Sequence, residues 1–203
     1  MSDCDCGTEQ AEKLERTTLT YLLIINGAMF LIEAVLGVIA QSTGLIADSL
    51  DMLADAAVYG ISLYVVGKGI TRQARAATLS GWLQIILGVG VLFDVVRRHF
   101  LGSEPQSILI MSVGLGALVA NITCLLLISK HRNGGVHMRA SWIFSTNDVI
   151  VNIGVIVSGA LVWMLGSRYP DLLVGAVIAT VVVRGGLKIL QEARSSRQGE
   201  IGT

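Results

Sequence analysis

The sequence predicts an all-α membrane protein, a bundle of six transmembrane helices with both termini in the cytosol. Three observations predict it. Of 203 residues, 53% are hydrophobic and 15% charged, and the mean hydropathy is +0.68. The apolar residues fall into six runs, at about 17–40, 43–67, 76–100, 106–129, 140–166 and 170–190. Each run meets the ~20 residues that span ~30 Å of hydrocarbon, and most are too long and continuous for soluble amphipathic helices. The cations are also asymmetric. With cytosolic termini the inner segments hold Lys13, Arg16, Lys68, Arg72, Arg75, Lys130, Arg132, Arg139, Arg184, Lys188, Arg194 and Arg197, and the outer ones only Arg97, Arg98 and Arg168. That is the positive-inside pattern.

Taken in order, residues 1–16 read as a short cytosolic tail without the basic start of a cleaved signal peptide. Gln41-Ser42 reads as a tight turn between the first two helices. Gly102-Ser103-Glu104-Pro105, Asn133-Gly134-Gly135 and Arg168-Tyr169-Pro170-Asp171 punctuate the later gaps. Residues 17–190 form the transmembrane domain, and 191–203 read as a second short cytosolic tail, with no folded C-terminal domain. Twenty-three glycines against two prolines fit close-packed membrane helices. The formal net charge of zero gives no basic surface for nucleic acid, and Cys4, Cys6 and Cys124 make no disulfide framework.

The informative stretch is Ala47-Asp48-Ser49-Leu50-Asp51-Met52-Leu53-Ala54-Asp55, three carboxylates at i, i+3 and i+7 inside an apolar run. At 3.6 residues per turn they share one helix face. A charge at the bilayer centre costs at least ~2.5–3.5 kcal/mol, so three on one face point to a hydrated site that meets a cation. Asp148, flanked by apolar residues in the fifth run, is the natural partner. Carboxylates from two helices can clamp one divalent ion, zinc taking about four N, S or O ligands. Protons compete for the same oxygens, which is the physical basis of exchange transport.

The remaining polar residues have plainer readings. Asp94 pairs with Arg97 or Arg98 at an interface. Asn26 and Asn121 are interhelical hydrogen-bond glue. Glu33, near the outer end of the first helix, is either solvated or lines a vestibule. Cys4-Asp5-Cys6 reads as a tail with incidental thiols, with soft-metal capture as its alternative, and His131 and His137 read as solvated.

The pattern resembles the cation diffusion facilitator family, whose second-helix motif reads Ala-Asp-Ser-Leu-His/Asp-x-x-x-Asp against Ala47 to Asp55 here. The fifth-helix pattern, a basic entry then His/Asp-x-x-x-Asp, is matched from Met138 and Arg139 to Asp148. Asn26, Glu33 and Asn121 also sit where that family favours those types, and the resemblance covers about residues 17–190. It implies six helices, a homodimer, Zn2+/H+ antiport and a bacterial cytoplasmic membrane. Phe144 stands at the first fifth-helix ligand position, and Asp51 replaces a common histidine. The 68–78 loop lacks the family's His/Asp-rich character, and the usual cytosolic dimerising domain is missing. The expected ligands are Asp51, Asp55 and Asp148, with Asp48, Asn147 and Asn152 as helpers. Zn2+ is the first choice, and the oxygen-rich site extends acceptance to Cd2+, Mn2+, Fe2+ or Co2+.

Dimerisation through membrane helices is expected from the family and from the small-xxx-small pairs Gly154/Ser158 and Gly175/Ala179, which serve equally to pack helices within one protomer. The competing readings are a cation channel and a non-transporting metal sensor or accessory subunit. An intramembrane aspartyl protease is disfavoured because its Gly-x-Gly-Asp sequence is absent.

Overall fold

The computed structural model describes the backbone of residues 3–65, 70–129 and 136–201, with side chains mainly within 16–61, 78–129 and 147–194. Phe144, Cys4, Cys6, His131 and His137 have side chains outside the described residues, and the 68–78 stretch expected to be a loop is helical from Ile70 on, as the start of the third helix. The Asn133-Gly134-Gly135 loop also lies outside them.

The described residues form six helices: α1 (Asp3–Ile39), α2 (Thr43–Val65), α3 (Ile70–Leu101), α4 (Ser107–Ser129), α5 (Val136–Leu165) and α6 (Tyr169–Ile201). The two stretches expected to be short tails continue α1 and α6, as helices to Asp3 and Ile201. Glu9, Glu12, Lys13, Glu192, Ala193 and Arg194 are good helix formers, so leaving the apolar run does not end the helix.

Five helices contain spans long and apolar enough to cross a membrane: Arg16–Ile39, Thr78–Leu101, Ser107–Ser129, Asn147–Leu165 and Tyr169–Gln191. α2 is the exception, because every 18-residue window within it holds Asp48, Asp51 and Asp55. Its position explains how it is tolerated. Among the described residues, α2 touches all five other helices, and no other helix does so. The helix with three carboxylates inside its apolar run is therefore the most sheltered, while large apolar side chains such as Leu31, Phe93, Val119, Ile150 and Val181 face outward. An apolar exterior around a polar interior is the pattern of an all-α membrane bundle.

The interior is layered. One apolar core joins Leu45, Leu50, Val91, Ile110, Val155 and Ile178. A second joins Leu19, Leu22, Tyr59, Cys124 and Ile128. Along α1, α2 and α4, Asn26, Asp51, Asp55 and Asn121 lie between these sets, and α5, whose Val155 belongs to the first core, adds Asp148 and Asn152. The bundle thus encloses a polar band between two apolar layers.

At the end where the α1–α2, α3–α4 and α5–α6 turns meet, the backbone is tied together. α1 closes with Ser42 N–H on Gly37 O at 3.0 Å and Gln41 N–H on Val38 O at 3.2 Å, with Gln41 at φ 50°. That is a Schellman closure with a non-glycine residue in the left-handed position. Its neighbours hold it there: Arg98 donates to Gln41 O, and Glu104 N–H donates to Gln41 Oε1 at 3.2 Å. Asp94 pairs with Arg97 and Arg98, as the i+3 and i+4 spacing indicated. Asp171, in the first turn of α6, caps α2 from outside. Ser42 Oγ donates to Oδ1 at 2.5 Å, Thr43 N and Oγ1 to Oδ2 at 2.7 and 2.8 Å, and Gly44 N to Oδ1 at 3.1 Å.

Small residues set the helix spacings. A Cβ at Gly186 would lie 2.8 Å from Gly81 O, and one at Gly175 would lie 2.8 Å from Thr43 C. Gly175 and Ala179, the latter fully buried, thus pack within this chain. Gly186→Ala is expected to force α3 and α6 apart and destabilise by ~1–3 kcal/mol. Gly90→Ala, with nothing within 4 Å, should be neutral or slightly stabilising. Thermal unfolding of both variants in one mild detergent checks the contrast.

Candidate metal centre

Asp51 and Asp55 stand one turn apart on α2, both half-buried, with Asp48 fully buried one turn before. At 1.5 Å per residue Asp55 lies roughly 18 Å along the helix from Thr43, well inside the bundle. Asp148 reaches the same region from α5 and is buried. Asp55 and Asp148 interact electrostatically across the gap between α2 and α5, and Tyr59 Oη donates to Asp55 Oδ2 at 3.4 Å. Two neighbouring carboxyls repel when both are ionised, so a proton or a cation between them is favoured. This contact joins α2 to α5 through groups that a proton or a cation can bridge.

The surrounding positions divide unequally. Asn152, fully buried, donates Nδ2–H to Asp148 O at 2.8 Å and leaves Oδ1 without a partner. Asn147 is exposed on α5 and does not join that buried face, because one residue turns ~100° around a helix. Glu33 is fully buried rather than solvated, and neither carboxyl oxygen has a partner. It interacts electrostatically with Asp48 and Asp51, and Asp48 Oδ2 is likewise unpartnered. The acidic group is therefore wider than the α2 stripe. Asn26 acts as the expected glue, donating to Leu22 O at 2.9 Å and to Cys124 Sγ at 3.7 Å across to α4.

Among the described residues, no group of three or more His, Cys, Asp or Glu side chains stands at the spacing that would hold a metal ion. The three aspartates are neighbours, with one close pair. Like charges explain the spacing: ionised carboxyls repel one another and have no reason to converge until a cation or protons neutralise the set. The donor chemistry nevertheless fits a cation. Buried unpartnered carboxylate and amide oxygens, on Glu33, Asp48 and Asn152, are costly unless paired with positive charge or a proton. Among the described residues the ion pairs are those of Asp94, so lysine and arginine do not neutralise this cluster.

Two contributors were not legible in sequence. Cys124 is a buried thiol within electrostatic range of Asp55 and Asp148. A lone cysteine in an apolar helix carries no signal by itself. Asp171 looked like part of a helix break and instead fixes the start of α2. The Ser42-Thr43 pair, both good N-cap types, was the available hint that α2 begins there.

Fold and site together define an integral membrane protein that keeps a set of acidic side chains buried around one central helix. The chain belongs to the cation efflux transmembrane domain family, which matches residues 19–196. The resemblance to cation diffusion facilitators is thereby substantiated over nearly the whole chain. A curated relative, the cadmium, cobalt and zinc/H(+)-K(+) antiporter of Bacillus subtilis (strain 168), is 20% identical over 123 residues. The match takes in 60% of this chain and 40% of that relative, so the chain spans well under two thirds of the relative's length.

Proposed function

We propose that this protein exports divalent metal cations in exchange for protons by alternating access. The observation that carries the reading is the Asp55–Asp148 contact between α2 and α5 inside a cation efflux domain. The antiporter activity in the name of the Bacillus relative points the same way. Asp51, Asp55 and Asp148 are the proposed ligands, with Asp48 and Asn152 beside them and Asn147 at the rim. Metal arriving between α2 and α5 displaces protons from Asp51, Asp55 and Asp148 and draws these carboxylates into its shell. Rocking of the bundle then exposes the ion to the other side, and protons reload the carboxyls. Zn2+ is the proposed substrate, with Cd2+, Mn2+, Fe2+ and Co2+ accepted because the ligands are mostly oxygen. The protein is on this reading a transporter and no enzyme.

The same proposal places the termini in the cytosol, as 1–16 and 191–203 flanking the 17–190 transport domain, and the three-turn end outside. It places the protein in a bacterial cytoplasmic membrane as a homodimer formed through membrane helices. Phe144 favours one second reading, a metal-sensing accessory subunit, because it stands at a position where the family carries a ligand.

Metal uptake into inside-out proteoliposomes across a pH gradient tests the choice, with wild type beside Asp51→Ala and with Zn2+, Cd2+ and Mn2+ supplied in turn. Uptake that releases lumenal protons and falls at least ~10-fold in Asp51→Ala supports exchange; tenfold is ~1.4 kcal/mol of lost interaction. Well-folded wild type that moves none of the three metals would refute it in favour of the accessory subunit.

A further inference from the structure

We propose that the three-turn end of the bundle holds one phospholipid of the phosphatidylethanolamine type, its phosphate on Arg168, its ammonium on Glu104 and one acyl chain in an adjoining apolar groove. Two cavities open there. One, of about 550 Å3, is half polar and is lined by Ser103, Glu104, Ser107, Trp163, Arg168 and Tyr169 among others. The other, of about 780 Å3, is almost wholly apolar, with Val96, Phe100, Leu165 and Leu173 in its walls. Ser167 and Tyr169 belong to both linings, so the two adjoin. Each lies within the ~300–1,000 Å3 range of ligand sites. A polar chamber beside an apolar groove fits an amphiphile, and at the edge of a membrane bundle the abundant amphiphile is lipid.

Charge selects the headgroup. Arg168 donates Nη2–H to His99 O at 3.2 Å and lies 5.7 Å from the Tyr169 ring centroid, which fixes its guanidinium at the junction of the two cavities. Its Nε and the nearby Ser103 Oγ are buried polar atoms without a protein partner. An arginine with free N–H groups is a strong phosphate ligand. Glu104 lines the same chamber with an exposed side chain, and its backbone N–H is held by Gln41 Oε1 at 3.2 Å. One cation and one anion in one chamber match a zwitterion with a hydrogen-bonding ammonium. They suit phosphatidylglycerol less, which has no ammonium, and phosphatidylcholine less, whose ammonium has no N–H to donate.

Native mass spectrometry of delipidated protein titrated with phosphatidylethanolamine, phosphatidylglycerol and phosphatidylcholine of identical chains tests this. Wild type is expected to bind the ethanolamine lipid at least tenfold tighter than either other lipid. Arg168→Gln should lower that affinity at least tenfold, and Glu104→Gln should erase the preference over phosphatidylglycerol. Ala176→Phe, which fills the apolar groove and leaves the polar chamber intact, should also weaken binding at least tenfold. Glycerophosphoethanolamine, the headgroup without chains, should not compete. Equal binding of the three lipids would overturn the proposal, as would unchanged affinity in both Arg168→Gln and Ala176→Phe with unaltered unfolding temperatures. Full competition by the chainless headgroup would overturn the groove's part in it.

Discussion

Asp148→Asn is expected to bring proton-coupled metal uptake to the level of empty liposomes while leaving the bundle folded. The substitution keeps the volume of the side chain and a carbonyl oxygen, so packing in the polar band changes little. What it removes is the charge. Asp148 is the carboxyl that α5 supplies to the Asp55 contact, and without it α2 holds its aspartates with no anionic partner across the gap. Changes in outer-shell partners of metal ligands cost 10–100-fold in affinity. Loss of a proposed direct ligand should therefore exceed ~100-fold. Asp55→Asn should do the same from the α2 side, and the double variant should be little worse than either, since both act through one contact. The pH dependence follows from the ligands' chemistry. Carboxyls must lose protons to bind metal, so apparent affinity in wild type should rise with pH, and each Asp→Asn variant should rise less steeply. Initial uptake rates at several pH values, with thermal unfolding of each variant as the folding control, check this. Metal uptake by Asp148→Asn within threefold of wild type would remove Asp148 from the mechanism.

The legibility of this site depended on whether a feature was local. The Asp48, Asp51 and Asp55 stripe could be read because helical period puts them on one face, and Asp94 because its cations lie three and four residues away. Six helices followed from the apolar runs, and the cost of three carboxylates marked α2 as the helix to be framed. Which helices touch it did not follow, because packing partners are not local. Asn152 shares the Asp148 face by helical period while Asn147 is turned ~100° away, and α5 buries the first and exposes the second accordingly. Glu33 read as near-surface because it approaches the end of an apolar run. In the bundle α2 covers it and brings Asp48 and Asp51 into its field. The Asp55–Asp148 pairing itself joins residues far apart in sequence, which no periodicity can register.

Asp171→Ala is expected to be the most destabilising single change outside the carboxylate cluster, by ~3–5 kcal/mol. One buried carboxylate there accepts hydrogen bonds from two hydroxyls and two backbone amides at the start of α2. Each orphaned buried donor costs ~1–3 kcal/mol, and losing an acidic group at a helix N-terminus adds to this. Partial relief comes from Ser42 Oγ, which still accepts from Leu45 N–H at 3.1 Å. Asparagine is not expected to rescue, because its amide turns a donor toward groups that are themselves donors. Glutamate is too long, since Asp171 Oδ1 already lies 2.9 Å from the position of a Cβ on Gly44. The unfolding temperature should fall by roughly 10 °C, taking ~2–4 °C per kcal/mol at this chain length. Thr43→Val should lose part of the same network, and a cycle with Asp171→Ala should return a coupling of at least ~1 kcal/mol. The consequence reaches the metal centre, because α2 is one continuous helix from Thr43 through Asp48, Asp51 and Asp55. Freed from α6, that helix can shift along its axis and spoil the Asp55–Asp148 contact, so metal exchange should weaken even at temperatures where the variant stays folded. Unfolding within ~1 °C of wild type would mean that the lipid-facing packing of α6, and not this cap, holds α2 in register.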